Sequence, residues 1–277
     1  MIRAGMLARH VAILLAISVT VASCAGAEAQ RREVLLATTT SFQDSGLLDD
    51  LVSDFALRTG YRIRATAVGS GAAIAIGAKG DADVVFAHSP KAEQEFMAAG
   101  YGARRLLVMH NDFVILGPSA DPAGVRGTQT MEAVRAIAGA RATFYSRGDK
   151  SGTDVFEKDL WRQAAIVPGA PWYVEAATGM GQLLQIASEK RAYTISDRGT
   201  YLTRRDGLTL EVLAEKDPPL LNYYHVMTVD PGRFPRVNSA GANAFADYLI
   251  SAETQRRIAR FGVSKYGQEL FFPDAVR

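Results

Sequence analysis

Residues 34–41 read Val-Leu-Leu-Ala-Thr-Thr-Thr-Ser, and this stretch limits the possible fold classes more than any other part of the chain. Its apolar residues predict a β-strand. The residues beyond it predict a helix that begins near Asp44 and has an apolar face formed by Leu48, Leu51, Val52 and Phe55. The hydroxyl residues therefore lie at the beginning of a helix, where backbone N–H groups lack an internal partner and the helix dipole is positive. Such a position suits a small oxyanion; the alternative is that Thr40, Ser41 or Asp44 only caps the helix.

Three further segments have the same arrangement, with small polar residues between a strand pattern and a helix pattern. They are residues 68–71, 144–153 and 178–181. In the second of them, residues 151–153 offer hydroxyls and N–H groups, and Arg147 adds a planar charge with several donors. Because glycine and serine commonly begin helices, each segment alone is a weak signal. Four of them in one chain predict a single shared anion-binding site.

Strand and helix patterns alternate from residue 33 to about residue 214. Predicted strands lie near residues 33–38, 61–68 and 82–87, and each is followed by a helix pattern. This alternation predicts an α/β fold with largely parallel sheets. In such folds ligands bind at the carboxyl ends of the strands, which is where the four small-residue segments lie.

Together these segments resemble the tungstate-binding proteins of bacterial ABC uptake systems, within the periplasmic solute-binding superfamily. The resemblance extends over about residues 33–270. It is carried by the threonine–serine run and by the motifs NDFVILGP (111–118), SRGDKSGT (146–153), GMGQ (179–182), SEK (188–190) and YTISDRGTY (193–201).

The resemblance implies a two-lobed periplasmic-binding-protein-like fold of type II, in which each lobe is a mostly parallel sheet flanked by helices. It implies that residues 30–115 and 225–277 form lobe 1 and that residues 116–224 form lobe 2. The lobes would close on one tetrahedral oxyanion and hand it to an ABC transporter permease, and we expect the protein to be a monomer. The residues predicted to bind the ligand are Thr39, Thr40, Ser41, Ser70, Gly71, Arg147, Ser151, Gly152, Thr153, Thr178 and Gly179.

The chemistry of the ligand decides which groups the site needs. Tungstate and molybdate are fully deprotonated dianions at neutral pH, so their site should supply donors only. Phosphate still carries a proton and gains from a carboxylate acceptor. Acidic residues in or next to the segments are Asp44, Asp149, Asp154 and Asp197, of which Asp149 and Asp154 are expected to serve a turn or a helix N-terminus. Donors dominate, and mostly on the strength of the family resemblance tungstate or molybdate ranks before phosphate or another oxyanion.

Residues 1–29 are predicted to be a signal peptide. Two arginines precede an apolar stretch at 11–21 that is too short to span a membrane, and residues 27–29 have the small-x-small pattern of a cleavage site. A lipoprotein box that ends at Cys24 is the competing interpretation, with a lipid on that cysteine. In either case we expect the mature protein in the periplasm.

The charge balance argues against nucleic acid as a partner. The chain carries 31 Lys and Arg and 29 Asp and Glu, and without residues 1–29 the balance is 29 basic to 28 acidic residues. Nucleic-acid binding would require clustered basic surface. Cys24 is the single cysteine, so no disulfide can form within the chain.

An enzyme is the second class of function considered. A secreted serine hydrolase needs a histidine and an acid that converge on Ser41 or Ser151. His88, His110 and His225 lie in no recognisable catalytic motif and are predicted to be structural. Neither metal-ligand spacing of Cys and His nor a lysine-containing phosphate loop occurs in the sequence, so we predict no metal and no cofactor. A scaffold or adhesin would not need several small-residue segments at strand ends.

Overall fold

A computed structural model describes residues 32–275 of the chain. The predicted signal peptide at residues 1–29, with Cys24, lies outside the described residues. Within residues 32–275, no helix is long and apolar enough to cross a membrane. Strands and helices alternate through most of this part of the chain, as the hydrophobic pattern predicts.

The bounds of the elements are as follows. The strands are β1 (Glu33–Thr39), β2 (Arg62–Val68), β3 (Val84–Ala87), β4 (Gly102–Pro118), β5 (Phe144–Ser146), β6 (Tyr173–Glu175), β7 (Thr194–Asp197), β8 (Leu210–Ala214), β9 (Leu221–Val229) and β10 (Phe272–Pro273). The α-helices are α1 (Thr40–Asp44), α2 (Leu47–Thr59), α3 (Ser70–Ala78), α4 (Pro90–Ala98), α5 (Thr130–Gly139), α6 (Gly152–Gln163), α7 (Met180–Glu189), α8 (Arg198–Arg204), α9 (Ser239–Ile250), α10 (Ala252–Arg260) and α11 (Val263–Tyr266). Two short 3₁₀ helices cover Arg205–Gly207 and Pro218–Leu220.

The larger sheet has eight strands. Six of them follow the order β10-β4-β9-β3-β1-β2, and β7 and β8 both pair with β4. β1 pairs in parallel with β2 and β3, whereas β9 is antiparallel to both β3 and β4. A smaller sheet contains β5 and β6, which pair in parallel.

Strand β4 connects two parts of the larger sheet. Its residues 102–112 pair with β9, and its residues 113–118 pair with β7 and β8. The chain leaves the first part along β4 and returns to it along β9, so these two long strands are antiparallel. The predicted division into lobes, residues 30–115 with 225–277 and residues 116–224, has its first boundary close to this change of partner. The division itself stays a prediction.

The α/β class predicted from the sequence is confirmed. Parallel pairing, which the strand–helix alternation predicts, occurs between β1 and β2, β1 and β3, and β5 and β6. The antiparallel pairs all involve β4 or β9. They arise because connecting strands run out and back between the two parts, which local alternation does not reveal.

The helix predicted to begin near Asp44 is two helices. α1 covers Thr40–Asp44, and α2 begins at Leu47 after Gly46. The φ of Gly46 is 82°, in the left-handed region that glycine adopts at little cost, so the chain turns there. Thr39 is the N-cap of α1. The hydroxyl residues therefore cap and begin the first short helix instead of preceding a longer one.

Three clusters of buried side chains hold these elements together. The largest packs α1, α2 and the C-terminal helices on the sheet around Phe42, Phe55 and Tyr224. A second lies around Phe113 and Trp161, and a third packs α3 on β1 and β3. This packing fixes the carboxyl ends of the strands from which the small-residue segments leave.

Candidate functional site

The four small-residue segments meet at one cavity of about 670 Å³, here called the main cavity. Its lining residues are Thr40, Ser41, Asp44, Gly69, Gly71, Ala72, Arg147, Asp149, Lys150, Ser151, Gly179, Met180 and Thr200. Each of the four segments contributes to the lining, although they are spread over residues 40–181 of the chain.

A second cavity of about 910 Å³, here called the side cavity, shares Gly71 and Lys150 with the main cavity. Ser70, His88 and Gly152 belong to its lining. The predicted ligand-binding residues that line the main cavity are Thr40, Ser41, Gly71, Arg147, Ser151 and Gly179. The predicted residues that line neither cavity are Thr39, Thr153 and Thr178.

Thr39 caps α1. Its Oγ1 accepts a hydrogen bond from Phe42 N at 3.4 Å, and the residue is 2% exposed. Thr39 Oγ1 lies 3.3 Å from Ser41 Oγ, which in turn lies 3.3 Å from His88 Nε2. The cap is therefore none of the three residues considered from the sequence, and all three line the main cavity instead.

The loop before α6 is folded around the carboxylate of Asp154. Asp154 Oδ1 accepts from Gly148 N at 2.9 Å, and Oδ2 accepts from Lys150 N at 3.1 Å. Ser151 caps α6 and accepts from Asp154 N at 3.3 Å, while Thr153 is buried in the first turn. Asp154 thus serves a turn and a helix N-terminus, as expected from the sequence.

Arg147 is a buried arginine at the wall of the main cavity, paired with Asp149. Its Nη2 and Nε donate to Asp149 Oδ2 at 2.5 and 3.1 Å, and Ser151 N donates to Oδ1 at 3.1 Å. Burial favours a higher pKa for Asp149, but the hydrogen bonds from Ser151 and Arg147 outweigh it and hold the pKa below its usual value. The carboxylate is therefore ionised at neutral pH and accepts from two groups that were predicted to bind the ligand.

The second and fourth segments begin helices without side-chain caps from their N-cap residues. Gly69 is the N-cap of α3 and Gly179 is the N-cap of α7. Ser70 is 2% exposed, and its Oγ has no hydrogen-bond partner among the described residues. Thr178, by contrast, donates from Oγ1 to Gln182 Oε1 at 2.6 Å. Backbone N–H groups and the Ser70 hydroxyl are thus the donors that these segments place at the cavities.

His88, which sequence analysis treated as structural, lies at this site. It follows β3, is 8% exposed, and its Nδ1 finds no hydrogen-bond partner within residues 32–275. Burial lowers its pKa to about 4, so the ring is neutral at pH 7. The one signal in the sequence is its position directly after a buried strand, which it shares with the small-residue segments.

The other two histidines of the described residues contact carboxylates. His110 Nδ1 lies 2.7 Å from Asp274 Oδ2, and His225 Nδ1 lies 3.0 Å from Glu93 Oε2. Neither belongs to the lining of the main or the side cavity.

Three acidic side chains lie on or behind the wall of the main cavity. Asp44 and Asp149 line it, and Asp197 caps α8 by accepting from Thr200 N at 2.6 Å. Burial raises the pKa of Asp197. These carboxylates are the acceptors that a protonated oxyanion could use, and they are outnumbered by donors.

Comparison with known proteins identifies the class. Residues 25–253 match the family model of the PBP superfamily domain, so the chain is a member of that superfamily. The tungstate-binding protein TupA of Peptoclostridium acidaminophilum is 43% identical over 247 residues, which cover 88% of this chain and 86% of that protein.

Two solved structures are also similar. The tungstate-binding protein TupA from Desulfovibrio alaskensis G20 is 42% identical with a TM-score of 0.80 and covers 88% of this chain and 99% of its own. The tungstate ABC transporter structure from Geobacter sulfurreducens is 44% identical with a TM-score of 0.75 and covers 83% of this chain and 98% of its own. The chain belongs to the family of TupA tungstate-binding proteins, which confirms the resemblance found in the motifs.

Proposed function

We propose that this protein binds tungstate as a deprotonated oxyanion outside the cytoplasm and delivers it to the permease of an ABC transporter. The observation that carries the proposal is the meeting of four small-residue segments at one cavity that also holds a buried arginine. The names of the relatives, which are tungstate-binding proteins, support the choice of anion.

The donor set matches a dianion whose oxygens only accept hydrogen bonds. Thr40 supplies a hydroxyl, Arg147 supplies a charged planar donor, and the first turns of α3 and α7 supply N–H groups next to glycine N-caps. Hydrogen bonds from charged donors and from oriented N–H groups gain strength in a site that excludes water. Tungstate and molybdate present the same charge and the same kind of acceptor to this set.

Each predicted ligand-binding residue has a place in this proposal. Those at the main cavity, together with Ser70 and Gly152 at the side cavity, are proposed to contact or enclose the anion. Thr39 holds Ser41 in position as the cap of α1, Thr153 packs in the first turn of α6, and Thr178 orders the entrance of α7 through Gln182.

Ligand binding is proposed to close two lobes, residues 30–115 with 225–277 and residues 116–224. A ligand shifts such an equilibrium only through contacts that it makes better in the closed state. Segments from both proposed lobes line the main cavity, so the anion could make such contacts. The permease would recognise the closed form, and the protein would reach the periplasm through residues 1–29, as a soluble monomer or with a lipid on Cys24.

A second candidate is transport of phosphate or another protonated oxyanion. The observation in its favour is that Asp44 and Asp149 line the main cavity and could accept a proton of the ligand. Asp149 already accepts from Arg147 and Ser151, however, and this use of its oxygens favours a proton-free ligand. The relatives are binding proteins of transporters, and we propose no catalytic activity and no cofactor.

Calorimetric titration of ligand-free residues 30–277 with tungstate, molybdate, sulfate and phosphate tests the proposal. Tight one-to-one binding of tungstate, with sulfate and phosphate silent, is the expected result. Tight binding of phosphate without a response to tungstate would support the second candidate. Silence with all four anions would overturn oxyanion binding altogether.

A further inference from the structure

Two buried polar atoms without partners lie close to Gly152. They are Ser70 Oγ and His88 Nδ1, neither of which has a hydrogen-bond partner in the part of the chain that the structure describes. A β-carbon built on Gly152 would lie 3.1 Å from Ser70 Oγ and 3.2 Å from His88 Nδ1. The two atoms therefore border the same small space, which exists because residue 152 is glycine. Buried polar atoms are nearly always paired in folded proteins, so this space is expected to receive a polar partner.

The orientation of the His88 ring is set by its other edge. Nε2 lies 3.3 Å from Ser41 Oγ, and the ring centroid lies 4.7 Å from that of Tyr224. Asn222 lies close enough to the ring to raise its pKa as a hydrogen-bonding neighbour, although none of its atoms meets the geometry of a hydrogen bond to Nδ1. With Nε2 held against the Ser41 hydroxyl, Nδ1 is the ring nitrogen left for a ligand.

The arrangement of hydroxyls is compatible with a proton on Nδ1. Ser41 Oγ lies within 3.3 Å of both Thr39 Oγ1 and His88 Nε2. Thr39 can donate to Ser41, and Ser41 can donate to Nε2, which makes Nε2 an acceptor. In a neutral imidazole the other nitrogen then carries the proton. Burial keeps the ring neutral at pH 7, while of the nearby charged groups Glu93 raises the pKa of His88 and Arg147 lowers it.

We propose that His88 is an anion-contacting residue whose neutral ring donates from Nδ1 to one oxygen of the bound oxyanion, beside the Ser70 hydroxyl. This inference rests on the proposed oxyanion-binding function and adds a donor from the end of β3 that belongs to none of the four small-residue segments. The ring donates as a neutral group because burial disfavours its imidazolium form.

Two substitutions separate the nitrogens of His88. The amide nitrogen of asparagine can take the place of Nδ1, and that of glutamine can take the place of Nε2. Calorimetry with tungstate on residues 30–277 should show that His88→Asn binds within about threefold of the wild type and that His88→Gln binds about tenfold more weakly, as expected for one lost hydrogen bond to a charged acceptor. His110→Gln, at a histidine outside both cavities, is the matched control and should bind as the wild type does.

A second measurement does not depend on the variants. In ¹⁵N NMR of the wild-type protein, the Nδ1 of His88 should carry the proton and shift when tungstate is added. A proton on Nε2 in the presence of tungstate would overturn the proposal, as would wild-type affinity in His88→Gln, which would leave water as the partner of Nδ1.

The two proposals fail in different ways. If the wild-type protein does not bind tungstate, the proposed function fails before any variant is tested. If the wild type binds tungstate but the glutamine variant matches it, or the proton lies on Nε2, only the role of His88 is wrong.

Discussion

Asp149 holds the guanidinium of Arg147 through one carboxylate oxygen, at 2.5 Å from Nη2 and 3.1 Å from Nε. Both residues line the main cavity, and Arg147 is 8% exposed. The carboxylate of Asp149 thus occupies the guanidinium of Arg147, the donor that we assign to the ligand. An incoming oxyanion must share Arg147 with Asp149 or displace it, and the next two predictions follow from this competition.

Arg147→Ala should weaken tungstate binding about ten- to hundredfold, because it removes a charge-assisted hydrogen bond worth about 1.5–3 kcal/mol. Calorimetry measures the change, and thermal unfolding checks that the fold is intact. Arg126→Ala is the matched control, since Arg126 is half-exposed, pairs with Glu211 and is remote from the cavities. A variant that binds as tightly as the wild type would remove Arg147 from the site.

Asp149→Asn should tighten tungstate binding about tenfold. If the carboxylate and a bound dianion are about 6 Å apart, their repulsion is ~1.4 kcal/mol even at the dielectric constant of water, which corresponds to a factor of about ten. Asp247→Asn is the control, because Asp247 is exposed, pairs with Arg104 and lines neither cavity. Weaker binding by Asp149→Asn would instead mean that Asp149 chiefly orients Arg147.

Gly152→Ala should weaken tungstate binding about tenfold or more. The added β-carbon would lie 2.6 Å from His88 Cε1, closer than van der Waals contact allows, so the ring or α6 must move. Overpacking of this kind costs about 1–3 kcal/mol. Gly139→Ala is the matched control, because a β-carbon there meets no atom of the described residues within 4 Å and Gly139 lines neither cavity. Equal affinities of the two variants in calorimetry would contradict the close approach at Gly152.

Glu157→Gln should change how stability depends on pH. Burial raises the pKa of Glu157 to about 6 from a usual 4.5, despite hydrogen bonds from Ser146, Tyr173 and Trp161 that lower it. The native state therefore binds this proton more tightly than the unfolded chain does. The contribution of Glu157 to the free energy of unfolding is fully present below pH 4.5 and falls by about 2 kcal/mol as the pH rises through 6.

Urea denaturation of both proteins between pH 4.5 and pH 7 checks this expectation. The stability of the wild type relative to Glu157→Gln should decrease with rising pH. Glu189→Gln, at an exposed glutamate that contacts Gln185, leaves Glu157 intact and should follow the wild type. If the free energy of unfolding changed with pH in the same way for the wild type and Glu157→Gln, burial would not raise the pKa of Glu157.

Much of the site followed from local patterns. The runs around Ser41, Ser70, Ser151 and Gly179 were predicted to begin helices, and in the structure each lies at or next to a helix N-terminus. Local patterns could not show that Thr39 supplies the cap of α1, because Gly46 divides the predicted helix and shifts its beginning. From one sequence, a glycine that divides two helices cannot be told from a glycine that lies within one longer helix.

Other features depend on residues that are distant in the chain. Arg147 is buried because segments from four parts of the chain close over it, and His88 meets Ser41 although 47 residues separate them in sequence. The antiparallel pairing of β4 with β9 joins residues more than 100 positions apart. The hydrophobic periodicity of the sequence does not predict such long-range pairings.

The sequence alone determined the α/β class, the family and the donor chemistry of the small-residue segments, because strand and helix periods, capping residues and hydroxyl groups act over a few neighbouring positions. The tertiary structure decided which of these groups face a cavity and which are used by the protein itself. Thr178 donates to Gln182, Asp154 holds its loop, and Ser70 is left without a partner among the described residues. Whether a buried hydrogen-bonding group faces a cavity or is paired within the protein depends on packing between distant segments, and so on the whole chain.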